Sequence, residues 1–136
     1  MRIVLLVLLI FSYSCSHKDT SPKKNVLDID SNRVLTQLEF LTRRIDFGVV
    51  KNDTLLTGKY SFVNNGPNDL KIDYVTPDCS CTSYFISSKL LHPHDTGVIV
   101  LKLSTKNKSG KETLYATVSA NTVMRLYSLE MLVDVK

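Results

Sequence analysis

Little in this sequence breaks the chain or repeats along it. Five glycines and four prolines in 136 residues exclude a collagen-like or low-complexity chain. No apolar run approaches the roughly 20 residues that a helix needs to cross a hydrocarbon core. No stripe of Lys and Arg interleaved with stacking aromatics is present, which argues against nucleic acid as a partner. The formal net charge is only +4. Lys51, Lys59, Lys71, Lys89, Lys102 and Lys111 are scattered, as on a solvated face. There is neither a Gly-x-Ser-x-Gly elbow nor a Gly-rich phosphate loop. Asp46, Asp53, Asp69, Asp73 and Asp95 fall in turns or at outward positions and read as solvated charges. No nucleophile, base and orienting group are set to converge. The chain therefore reads as non-enzymatic, with no cofactor expected.

What is present begins at the N-terminus. Arg2 precedes an apolar run of nine residues, Ile3 to Phe11. Its length suits the central region of a secretory signal. Ser12-Tyr13-Ser14-Cys15 follows and resembles the lipobox of bacterial lipoproteins. Ser14 fits the small position before the cleavage bond, and Ser12 stands where Leu is usual. The resemblance implies that residues 1–14 are a lipoprotein signal peptide and that Cys15 takes a diacylglyceryl thioether. Each buried methylene of such an anchor contributes about 0.8 kcal/mol. The expected membrane contact is this anchor. The expected location is the bacterial cell envelope, periplasmic or on the surface of the outer membrane.

Cysteine parity fits the same reading. An odd cysteine in an exported protein needs a use. Lipidation consumes Cys15 and leaves Cys79 and Cys81. Residues 15–32 carry the lipidated cysteine and then a polar, charged stretch with little to bury, as expected of a flexible tether.

From residue 33 to residue 136 the period is mostly two. Ile45, Phe47 and Val49 alternate with Asp46, Gly48 and Val50. Tyr60 and Phe62 alternate with Lys59 and Ser61, and Leu70, Ile72 and Tyr74 with Lys71 and Asp73. The same pattern returns in Ile99–Leu103, Leu114–Ala120 and Tyr127–Val135. This is the signature of half-buried antiparallel strands. Breaker clusters at Asn64–Asp69 and His92–Gly97 separate them, Lys108–Lys111 suits a hairpin, and Asn121-Thr122 divides the last two. Asn32–Arg44 is expected to hold a strand ending near Thr42. The fold class is all-β: an Ig-like antiparallel β-sandwich of about seven to nine strands.

Several segments then line up in order. They are Ile45-Asp46-Phe47-Gly48-Val49-Val50, Tyr60-Ser61-Phe62-Val63-Asn64-Asn65-Gly66, Leu70-Lys71-Ile72, Cys79-Ser80-Cys81-Thr82, Ser109-Gly110-Lys111 and Val118-Ser119-Ala120-Asn121. Together, over about residues 38–135, they resemble the DUF1573 family of Ig-like domains, frequent in Bacteroidetes envelope lipoproteins. Ser80 stands where the family has Gly, and His94 where it has the Gly of a Pro-Gly turn. The resemblance implies fold and compartment, and no activity.

Three readings remain open for Cys79 and Cys81. Both are structural, reduced or joined as a local disulfide, whose small ring is hard to close in the preferred geometry. Or the pair is redox-active, which needs an exposed sulfur with a lowered pKa. Or the two thiolates bind a soft metal such as Cu(I) or Zn(II), joined by His92 and His94. The last requires folding back, because an extended Ser83–Leu91 would span roughly 30 Å and put the clusters at opposite ends. The expected function is an interaction or structural module with an unidentified protein or glycan partner. The alternative is a thiol-redox or soft-metal protein.

Overall fold

The computed structural model describes residues 34–136. The expected signal peptide (residues 1–14), Cys15 and the tether (residues 15–32) lie outside the described residues.

Nine strands and no helix make up the described residues: β1 (Leu38–Phe40), β2 (Arg44–Val50), β3 (Leu55–Asn64), β4 (Leu70–Pro77), β5 (Thr82–Ile86), β6 (Leu90–Leu91), β7 (Thr96–Ser104), β8 (Gly110–Ala120) and β9 (Leu126–Val135). One sheet has the order β1-β3-β7-β5, and the other β2-β9-β8-β4-β6. This is an Ig-like sandwich. Strands pair antiparallel except β2 with β9, which run parallel, as does the isolated bridge Thr36–Thr122. That exception follows from the entering chain, which pairs with β3 in one sheet and then crosses to the edge of the other.

The period of two explains the core. Tyr60 and Phe62 of β3, Ile99, Leu101 and Leu103 of β7, Val118 of β8, and Leu129 and Met131 of β9 all point between the sheets and are buried. Burying each such side chain contributes about 1.5–3 kcal/mol. Gly97 is required on β7 because the Phe62 ring occupies the place where a Cβ would stand. The Tyr60 hydroxyl crosses the core and donates to the Glu130 carbonyl at 2.7 Å. Burial, and then the Glu130 charge, push the Tyr60 phenol up to about 12.

Simple alternation fails at two places. Val49 was expected on the same face as Ile45 and Phe47, yet it is exposed and Val50 turns inward. The register with β9 shifts between Asp46 and Val49. Gly48 lies there at φ +65°, and its N–H donates to Asp46 Oδ1 at 2.8 Å. Tyr74 was expected to follow Leu70 and Ile72 inward, but it is exposed and Val75 is buried. There the register with β8 slips between Ile72 and Tyr74. An extra residue in a bulge flips every later side chain to the other face. The Lys108–Lys111 stretch is likewise not a hairpin, since β7 and β8 belong to different sheets.

Two asparagines tie down the end at which the chain enters. Asn64 is fully buried. Its Oδ1 accepts from the Thr36 hydroxyl (2.8 Å) and the Gly66 N–H (3.2 Å). Its Nδ2 donates to the carbonyls of Asn68 (2.8 Å) and Leu91 (3.1 Å). Asn121 Nδ2 donates to the carbonyls of Val34 (2.9 Å) and Asp69 (2.8 Å), and its Oδ1 accepts from Lys71 N–H at 2.7 Å. A buried amide that meets all its partners fixes the loops around it.

Candidate functional site

Each sheet of an open sandwich has two edges, and an unprotected edge is a template for another chain. Three of the four edges here are blunted. β1 has three residues and carries Glu39, the flank of β3 that it leaves uncovered (residues 55–61) carries Lys59 and Gly58, and β6 has two residues. β2 carries Arg44 and Asp46 and is bent by the Gly48 bulge. The exposed flank of β4 beyond β6 ends in Pro77, which has no N–H to offer.

The fourth edge is β5, Thr82-Ser83-Tyr84-Phe85-Ile86. It has no charge, no proline and no bulge, and it pairs with β7 in unbroken register. Ser87 N–H donates to the Val98 carbonyl, and Ser104 N–H to the Cys81 carbonyl, both at 3.0 Å. In an antiparallel ladder, alternate residues exchange both backbone bonds with the partner strand. Ser83 and Phe85 therefore turn their N–H and C=O groups to β7, and Tyr84 and Ile86 turn theirs to the open side. Thr82 N–H is held by the Cys79 carbonyl at 3.0 Å. The Tyr84 side chain lies on the inward face opposite Leu101, yet is 43% exposed because no strand lies beyond it. Phe85, on the outer face beside Val100, is 61% exposed.

Cys79 and Cys81 form a disulfide at the entrance to β5, with Cα atoms 5.1 Å apart. Both are half-buried against the core, and Ser80 between them is exposed. Cys81 N–H donates to Cys79 Sγ at 3.1 Å.

The histidines are elsewhere. His92 and His94 lie between β6 and β7, where His94 N–H donates to the Asn64 carbonyl at 2.8 Å. That is the Thr96 end of β7, whereas Cys81 is bound at its Ser104 end. The length of β7 puts roughly 26 Å between them. The chain does break at Ser87–Lys89, but it crosses to the other sheet there and does not return to the cysteines. His92 Nδ1 instead pairs with Asp69 Oδ1 at 2.8 Å. That hydrogen bond, and then the carboxylate charge, hold the imidazole above its ordinary range.

Two further surfaces are exposed. The outer face of the β2-β9-β8-β4-β6 sheet carries Tyr74 and Tyr115 among Thr76, Thr117 and Ser128. At the entry end, Val123 and Met124 in the β8–β9 turn are 85% and 60% exposed. The free edge of β5 and the exposure of Tyr74, Val123 and Met124 were not foreseen from sequence, whereas Tyr115 and Thr117 stand at the outward positions expected of them. Only the lack of charge over Thr82–Leu91, apart from Lys89, hinted at the first.

A family model matches residues 38–135 of this sandwich: Protein of unknown function (DUF1573). The chain belongs to the DUF1573 family. Solved structures similar to this DUF1573 domain include a protein of unknown function from Porphyromonas gingivalis W83. It has TM-score 0.66 and 10% identity, over 75% of this chain and 48% of that one. The PapD-like domain 7 of human CEP192 is similar at TM-score 0.57 and 12% identity, over 75% of this chain and 87% of that one. The Escherichia coli chaperone DraB is similar at TM-score 0.51 and 8% identity, over 74% of this chain and 55% of that one. At such identity the likeness is one of fold alone. The chain spans less than half of the Porphyromonas gingivalis protein. No curated protein matches it.

Proposed function

We propose that this DUF1573 chain is an exported, lipid-anchored, non-enzymatic module that binds a protein partner in the cell envelope. The observation that carries the reading is the unprotected β5 edge, uncharged and bearing the exposed Tyr84 and Phe85. Large exposed aromatics on a rigid scaffold are the material of binding surfaces.

The anchor is Cys15, which takes a diacylglyceryl thioether and becomes the mature N-terminus when residues 1–14 are removed. Val34 is held to Asn121, so the described residues begin at the end that carries Val123 and Met124. Radiolabelled palmitate should enter the wild-type chain and not Cys15→Ser. Recovery of the intact chain from the cytosol would overturn this part. For the partner, a photoreactive residue is placed in turn at Phe85, Tyr115 and Leu126, and the native envelope is irradiated. A partner captured from at least one position supports the module; none from any position points to a spacer.

A second reading has its own observation. The Cys79–Cys81 disulfide closes a short loop with an exposed residue between the sulfurs, which suits thiol exchange better than it suits holding a metal. A pair inert towards glutathione and towards disulfide-bonded peptides excludes it.

A further inference from the structure

We propose that the outward edge of β5 binds an extended segment of a partner polypeptide by strand addition. This rests on the interaction-module reading and names the chemistry of its partner.

The geometry requires a backbone. Tyr84 and Ile86 each present an N–H and a C=O to the open side, and no other described residue meets them. These sets repeat every second residue, about 6.8 Å along the strand. An extended polypeptide carries the complementary groups at that spacing, and it adds a strand wherever a sheet edge is free. The side chains favour the same occupant. Tyr84 lies on the inward face and lacks a neighbour on one side. A strand laid against β5 would put an apolar side chain beside Tyr84 and Ile86 and extend the core. On the outer face the same strand would lie beside Phe85, with the long Lys102 side chain, opposite Ser83, able to reach an acidic residue of it. The bound segment is therefore alternating, apolar on the face towards the core and free of lysine.

A free segment fits better than a second copy of this chain. Two β5 edges could pair over five residues only, because the connections at 78–81 and 87–89 leave the sheet at either end. That overlap falls short of the roughly 1,200 Å² of a stable interface. A free segment is not so limited, since it can continue past β5 and wrap both faces.

The test uses the full chain in detergent and a displayed library of random heptapeptides. Peptides selected on the wild type should alternate apolar residues. Synthetic copies should slow amide exchange at Tyr84 and Ile86 about tenfold or more, the change expected for one new hydrogen bond, and leave Ser83 and Phe85 nearly unchanged. Ile86→Pro removes an outward N–H without touching the β7 ladder and should weaken binding about tenfold. Tyr115→Ala, on the other sheet, should not. Circular dichroism checks that Ile86→Pro folds, and the exchange pattern of the wild type decides the matter without it. The proposal is overturned if no peptide is selected, if peptides bind without protecting Tyr84 and Ile86, or if the two amides are protected by raising the protein concentration alone. A partner photocrosslinked from Tyr115 or Leu126 but not from Phe85 would overturn strand addition and leave the module reading standing.

Discussion

The entry end of the sandwich and the β5 flank treat their polar groups in opposite ways. At the entry end Asn64 and Asn121 together satisfy carbonyls and N–H groups from the entering chain, the β3–β4 connection and the β6 end. Along β5, the backbone groups of Tyr84 and Ile86 point to the open side. Fully met groups at the first make a rigid, self-sufficient frame. Unmet groups at the second cost the free protein little, because water serves them. They become valuable when another strand replaces that water. The difference separates what holds the fold from what is left over for binding.

Breaking the closed region should have the largest effect. Asn64→Ala strands several buried groups at once and should cost about 3 kcal/mol, read from the denaturant midpoint. A loss under about 1 kcal/mol would mean that the entry end is not the frame. Gly48→Val sharpens the comparison at the guarded edge β2. A Cβ at Gly48 meets nothing within 4 Å, so the cost is that of a branched residue held at φ +65°, about 1–2 kcal/mol. Phe85→Lys should change stability by less than about 0.5 kcal/mol, while partner capture or peptide binding falls sharply. A large loss of stability there would make β5 part of the frame.

The smallest effect belongs to His92. Asp69 raises its pKa, so the folded state favours the protonated ring. The contribution is fully present below the unfolded value, near 6.5, and is lost as pH rises through the higher folded value. Proton NMR should show His92 titrating above the ordinary imidazole range, with Asp69→Asn bringing it down. Both groups are exposed, so the melting temperature should hardly move.

Much of the sandwich was legible because strand alternation is a local property. Tyr60, Phe62, Ile99, Leu101 and Leu103 were assigned to one face correctly. The misses at Val49 and Tyr74 came from bulges, each of which depends on what the partner strand does. Asn64 reads as a turn residue in sequence, and only the crossing of Thr36 and Leu91 above it makes it a buried hub. The cysteine pair was visible as a motif and its separation from the histidines was anticipated, but its disulfide state was left open.

By itself the sequence determined that the domain is built of strands and which side chains of most strands turn inward, since a period of two follows from the covalent pleat of the backbone. The tertiary structure alone decided that β5 is an edge and that Tyr84 has an open side. Being an edge is not a property of five residues. It follows from where strands far apart in the chain come to pair, and from which flank they leave uncovered.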